Sequence, residues 1–466
     1  MARALASSLA LPLDSAALAA ELDARDPLRA FREEFHLPTG GDGAPLLYFC
    51  GNSLGLQPKA TDGAVAAELR KWACRGVHGH FEGALPWATC EEALPALLAD
   101  VVGAARPAVE VAAMNSLTVN LHLLMAAFYR PAAGRAAILI EGSAFPSDRY
   151  AVASQIEHHG YDPSEWLIEV MPRSDDHLFH TEDILAAIEK HRGRLALVLL
   201  GGVNYLNGQV LDMPRIAEHM RESNARAEAA GEPAVPLGLD LAHAVGNVPL
   251  ALHEWGVDFA AWCSYKYLNG GAGGLAGLFV HEKHARDREK YPRLAGWWGV
   301  PFSRRFAMAH AFECADGAAG FGVSNVNPLM VACVHASLKT LERAGGVAAT
   351  RRKSVLLTGY LEALLQERGL TAARDGSPPL VQQVTPADEA QRGCQISLRV
   401  LPPPHRAANP PTMRDLEQLL AAHGVVTDAR EPDIVRISPV PLYNSFAEVY
   451  QCVGVLQKCL HELMKE

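Results

Sequence analysis

The chain has no CxxC pair and no cysteine–histidine cluster with zinc-ligand spacing; its nine cysteines are scattered and odd in number. That excludes a disulfide framework and a structural zinc module, and points to reduced thiols in a cytoplasmic protein. No stretch approaches about 18 uninterrupted apolar residues, so no transmembrane span is expected. A basic cluster is also lacking. With 42 Lys and Arg against 52 Asp and Glu, the net charge is −10, a poor footing for nucleic acid or anionic membrane. The Ala/Leu-rich start carries only Arg3 as a leader charge, and Ser7, Ser8 and Pro12 break its apolar run. It reads as a capped amphipathic helix from near Asp14, not as a targeting segment. No internal repeat is visible. What is present is 466 residues, 49% apolar and 20% charged, enough for two or three domains with a large core.

Short apolar runs at 136–141 ("AAILIE"), 195–203, 236–242, 259–265 and 275–282 predict buried strands. Helical patterns at 118–130, 180–192 and 213–231 alternate with them. This alternation predicts an α/β fold with a mostly parallel sheet flanked by helices. From about Pro328 the texture changes to a long helical stretch, short strands and a last helix, the pattern of a smaller α+β domain. The expected division is an N-terminal segment 1–70 packing with the small domain, a large domain 71–330, and a small domain 331–466. The Pro-rich stretch 401–412 is expected to be a surface loop.

Lys266 stands alone in "FAAWCSYKYLNGG", between aromatic residues and glycines. Such a lysine either snorkels from a strand end or keeps a reactive amine, as in a Schiff base. Asp240 closes another strand pattern, where an aspartate is either a turn-former or a site carboxylate. Together they have a joint use: a lysine forms an imine with pyridoxal phosphate while an aspartate keeps the pyridine nitrogen protonated. Asn115 or Ser116 caps a helix whose first amides, near Leu117 and Thr118, suit a phosphate, although an ordinary capped helix has the same pattern. Phe145 and Asp148, in "SAFPSD", follow the strand at 136–141 and offer a ring face and a carboxylate.

These residues lie in stretches that resemble the kynureninase family, pyridoxal-phosphate enzymes of fold type I, the aspartate aminotransferase-like superfamily. The resemblance runs nearly end to end: "YFCGNSLGLQPK", "MNSLTVNLHLLMAAFYRP", "AFPSDRYA", the 45-residue block 240–284, "GWWG" and "RISPVPLYNSF". It implies a large domain with a seven-stranded type of sheet. It implies Lys266 as the Schiff-base lysine, Asp240 on the pyridinium nitrogen, and His243 as a second cofactor-site residue. It implies Tyr265 on the phosphate and in proton relay, with Leu117, Thr118, Phe145, Pro146, Ser147 and Asp148 around ring and phosphate. Trp297 and Asn325 match positions that reach the site of the partner subunit in a homodimer, and Arg436 matches a clamp for the substrate α-carboxylate. No metal ion is implied. Gly201 departs from the pattern, since the family often has a small hydroxyl residue there.

The implied reaction is hydrolytic Cβ–Cγ cleavage of an L-kynurenine to an anthranilate and L-alanine, in tryptophan degradation or NAD biosynthesis. The "GH…PW" histidine and the Ser-Asn pair that accompany a preference for 3-hydroxy-L-kynurenine match His80, Ser324 and Asn325. Two other readings share the lysine, aspartate and phosphate cup. One is a cysteine desulfurase or aminotransferase, for which Cys394 in "QRGCQIS" comes nearest to a mobile nucleophile. The other is a non-catalytic scaffold, against which the intact Lys266 and Asp240 argue.

Overall fold

The computed structural model describes residues 2–465 apart from 42, 175, 374–377, 403–405 and 407–409. Half of the expected loop at 401–412 therefore lies outside the described residues. In chain order the strands are β1 (Leu47–Tyr48), β2 (Val111–Ala113), β3 (Ala137–Glu141), β4 (Leu167–Val170), β5 (Leu195–Gly201), β6 (Leu237–Asp240) and β7 (Phe259–Trp262). They continue with β8 (Gly277–Val280), β9 (Val381–Gln383), β10 (Ile396–Val400), β11 (Val425–Val426), β12 (Asp428–Arg430) and β13 (Ile434–Ile437). The chain divides into two compact units. One comprises Met1–Lys59, Tyr205–Val210 and Arg343–Glu466; the other comprises Ala60–Asn204 and Leu211–Glu342. No helix among the described residues is long and apolar enough to cross a membrane.

The larger unit is built on a seven-stranded sheet of order β2-β8-β7-β6-β5-β3-β4. β4, β3, β5, β6 and β7 run parallel, while β8 is antiparallel to both neighbours. β3 up to its closing Glu141 and most of β5 are buried as apolar runs, as expected of strands covered on both faces. Helices Leu117–Phe128, Pro146–His158, Thr181–His191 and Met213–Ala229 alternate with the strands along the chain. The parallel direction brings the ends of β3, β5, β6 and β7 to one edge of the sheet, with Glu141, Gly201, Asp240 and Trp262 as their last residues.

The smaller unit holds an antiparallel sheet of order β12-β13-β10-β9 and the parallel pair β1–β11. Its last helix, Phe446–Lys465, buries Val449, Cys452, Val453, Leu456, Cys459 and Leu460, a three- and four-residue spacing that gives one apolar face. Asp23 from the N-terminal segment accepts the amides of Phe446 and Ala447 at 2.7 and 3.0 Å, placing an anion at that helix's positive end. The helix expected near Asp14 runs over Ala16–Ala24, capped by Ser15.

Candidate active site

The residues that follow the strand ends of the larger unit converge. Tyr265 and Lys266 follow β7 and are half-buried; Lys266 Nζ lies 2.8 Å from His243 Nε2. His243 is buried in the turn after β6. Asp240, also buried, accepts the amide of Ala242 at 2.7 Å and a hydrogen bond from the carboxyl of Asp148. Burial first, then the charge of Asp240, push the Asp148 carboxyl well above the usual range. Asp240 is itself raised by burial, against which the Lys266 charge and its hydrogen bonds work. Tyr265 is pushed up by burial and then by Cys263, which keeps its hydroxyl protonated at neutral pH.

Leu117 and Thr118 open a twelve-residue helix whose N-cap, Ser116, makes no side-chain capping bond. Its first amides are thus open to an anion. Thr118 Oγ1 lies 2.9 Å from Ser147 Oγ, which ties this terminus to the start of helix Pro146–His158. Phe145, the N-cap of that helix, is 48% exposed, unusual for a phenylalanine beside a sheet edge. Asn115, Ser143 and Asn269 take left-handed backbone conformations (φ 51°, 61° and 53°), strain that gathers around functional loops.

This setting fits pyridoxal phosphate. A buried aspartate pressed against a second acid lacks a full counter-charge, and a protonated ring nitrogen supplies one. The amides at Leu117 and Thr118, with Ser147, suit the phosphate, and Phe145 offers a face for the ring.

His80 and Asn325 meet elsewhere in the same unit, in a cavity of about 350 Å³ walled by Trp72, Trp87 and Trp298. His80 Nδ1 lies 3.0 Å from Val77 O, and its ring packs edge-on to Trp87. Ser324 Oγ donates to Asn325 Oδ1 at 3.3 Å. Lys266, Asp240 and His243 do not line this cavity. Trp297 is 48% exposed, and its Nε1 donates to Arg305 O at 2.9 Å. Trp87 and Trp298, which complete the cavity walls, lie in the "GH…PW" and "GWWG" stretches.

Arg436 lies on β13 of the smaller unit, buried, with Nη1 donating to Tyr205 O at 2.7 Å and Nη2 paired with Asp428. Its Nε has no partner among the described residues. Cys394 is 1% exposed, and burial pushes its thiol up to about 12, the opposite of what a nucleophilic cysteine needs.

Among the described residues one group, Glu110, His253 and His281, has metal-ligand spacing. Glu110 Oε1 already accepts from His253 Nδ1 at 2.7 Å and from the Glu282 amide at 3.1 Å. Its Oε2 accepts the amides of Ala105 and Arg106. The trio is a hydrogen-bonded brace for the polypeptide.

Solved structures share the architecture. A variant of the enzyme C-DES, with glycine covalently linked to its PLP cofactor, matches with a TM-score of 0.71, covering 91% of this chain and 98% of its own, at 18% identity. A cysteine desulfurase from Thermococcus onnurineus matches with a TM-score of 0.69 over 94% and 99%, also at 18% identity. The fold is that of fold type I. A family model described as "Kynureninase C-terminal domain" matches residues 350–456. Proteins named kynureninase align over nearly the whole length. One from Myxococcus xanthus is 46% identical over 95% of this chain and 97% of its own. One from Xanthomonas campestris pv. campestris is 49% identical over 93% and 96%. One from Nematostella vectensis is 44% identical over 97% and 96%. Identity of that order, sustained through both units, means that the chain belongs to the kynureninase family.

Proposed function

We propose that this protein is a pyridoxal-phosphate-dependent hydrolase of L-kynurenines. In this reading it cleaves their Cβ–Cγ bond, prefers 3-hydroxy-L-kynurenine, and releases L-alanine with 3-hydroxyanthranilate, or with anthranilate from the unsubstituted substrate. The observation that carries the reading is the meeting, at one sheet edge, of Lys266 on His243 with Asp240 beside Asp148. When bound, the cofactor supplies an electron sink for negative charge at substrate Cα. Lys266 holds the cofactor, then takes the Cα proton on Nζ. His243, at hydrogen-bond distance, orients that amine. Asp240 holds a proton on the ring nitrogen. Tyr265, kept protonated, moves a proton at the γ-carbonyl. One water is consumed: its oxygen remains in the aryl acid, and alanine Cβ gains a proton.

Arg436 takes the α-carboxylate, a role its buried guanidinium and open Nε suit. His80 and Asn325 hydrogen-bond the aryl hydroxyl, and Ser324 orients Asn325. In support, their cavity combines tryptophan walls with just such polar groups. The working unit is a homodimer in which Trp297 and Asn325 serve the neighbouring site. A continuous exposed aromatic patch favours a second copy as its cover: Trp297, Phe81 and Phe302 pack on Phe306 at 5.5, 5.5 and 5.9 Å.

The test is the visible absorption spectrum of the purified protein, followed by chromatographic assay of alanine and anthranilates from both kynurenines. A cofactor-loaded protein that forms no alanine from either substrate refutes the assignment. Desulfuration of cysteine under the same conditions would favour the other fold type I chemistry, against which the burial of Cys394 argues.

A further inference from the structure

Gly201 is in register with Asp240 across β5 and β6. Its amide donates to Glu141 Oε2 at 3.0 Å, and a Cβ at position 201 would stand 2.6 Å from Glu141 Oε1. The carboxyl of Glu141 therefore occupies the space that a side chain at 201 would need. Glu141 ends β3, is 6% exposed, and has no ion pair with a cationic side chain among the described residues. Burial, and then the charge of Asp240, push it up to about 7, so an acid sits here at a standing electrostatic cost. A buried acid without a counter-charge persists where its geometry serves something.

We infer that Glu141 is a positioning residue of the cofactor pocket: seated against Gly201, it fixes the end of β5 beside β6 and so the direction in which Asp240 presents its oxygens. Glu141 and Gly201 form one device. A side chain at 201 displaces the carboxyl of Glu141 from this seat, so the two positions are coupled in holding the end of β5. This rests on the cofactor-site reading above.

A double-mutant cycle with rescue tests it, using the full chain with Gly201→Ser, Glu141→Ala, Glu141→Gln and the Gly201→Ser/Glu141→Ala double variant. The readouts are the pyridoxal phosphate dissociation constant, from absorbance titration, and the melting temperature of the cofactor-free protein. Gly201→Ser and Glu141→Ala should each weaken cofactor binding about 10-fold. The double variant, with the serine free to fill the vacated space, should return to within about threefold of wild type. Glu141→Gln, which keeps an acceptor for the Gly201 amide, should also stay within about threefold. Additive losses in the double variant, or equal losses for Gln and Ala at 141, overturn the inference. Gly201→Ser should lower the melting temperature of the cofactor-free protein, and Glu141→Ala should recover it. That arm is read without cofactor, so it judges the pair even if the wild type binds none, an outcome that defeats the cofactor-site reading instead. If Gly201→Ser does not fold, folding of the double variant supports the pairing, and its failure to fold counts against it.

Discussion

Neutralising Asp258 should destabilise the sheet in a pH-dependent way. Asp258 directly precedes β7, and its buried carboxylate joins three segments. Oδ2 accepts the amide of Leu237 at the start of β6 at 2.7 Å. Oδ1 accepts from His284 Nε2 at 2.7 Å and from Lys283 Nζ at 2.8 Å. Burial alone would raise this acid, but the His284 bond and the Lys283 charge outweigh it and lower it from 3.8 to about 2. The folded value lies below the unfolded one. The carboxylate therefore contributes stability above pH 3.8, and that stability is lost as pH falls through about 2. The difference corresponds to about 2 kcal/mol. Removing one partner from a buried charged cluster costs about 3–5 kcal/mol, and Asp258→Asn should fall near the lower figure because the amide keeps one acceptor. Urea unfolding of the cofactor-free protein, followed by far-UV circular dichroism, measures wild type against Asp258→Asn from pH 7 downward. The gap should narrow by about 1 kcal/mol at pH 3. A gap that stays constant between pH 7 and pH 3 would refute the reasoning.

Replacing His80 with Phe should lower the kcat/KM ratio of 3-hydroxy-L-kynurenine to L-kynurenine by about 5- to 150-fold, the worth of one hydrogen bond to a buried hydroxyl. A ratio unchanged in the His80→Phe/Asn325→Ala variant would detach that cavity from specificity. Lys266→Ala should reduce alanine release by about 10³-fold or more while leaving a folded protein by circular dichroism, and substantial residual turnover without added amine would count against it. Asp240→Asn should both weaken cofactor retention and slow exchange of the substrate Cα proton, read by deuterium incorporation; unchanged exchange at saturating cofactor would leave Asp240 a structural role only. Mixing Lys266→Ala with Asn325→Ala should restore activity in hybrid dimers, and no recovery after proven subunit exchange would argue against shared sites.

The strands that carry the site were legible because they are apolar up to their last residues. "AAILIE" and "LALVLLGGV" stand out from any helical period, and β3 and β5 lie within them. β2 and β4 escaped notice for physical reasons. β2 has three residues, and β4 is mostly half-buried and carries Glu169, so neither shows a long apolar run. The antiparallel direction of β8 was illegible as well, because hydrophobicity carries no polarity along the chain. Among site residues, Lys266 was visible as a cation among aromatics, and Asp240 as the acid closing an apolar strand. Glu141 closes its strand in the same way, yet an acid at a strand end ordinarily turns to solvent. Its inward carboxyl is seated against Gly201, on a strand far along the chain. The cavity between His80 and Asn325 is set by tryptophan packing, which local pattern does not encode.

Glu141 at the end of β3, Asp240 at the end of β6 and Asp148 in the helix that follows β3 gather three acids at one edge of the sheet, and burial raises all three. Selection for stability alone would replace such a group, since apolar residues of similar size would pack there without the desolvation cost. The strand ends are therefore suited to a partner that brings positive charge, and the folded chain alone carries the electrostatic cost of waiting for it. Lys266 relieves part of that cost, but its amine also faces His243, and the proposed chemistry requires it to leave the carboxylates and act at the substrate. A ring nitrogen held protonated by Asp240 would remain in place while Lys266 moves. This division of labour explains why the site pairs a mobile cation with buried acids instead of a fixed arginine. The buried histidine after β6 fits the same division: its imidazole, 2.8 Å from Lys266 Nζ, is placed to hold the amine in register.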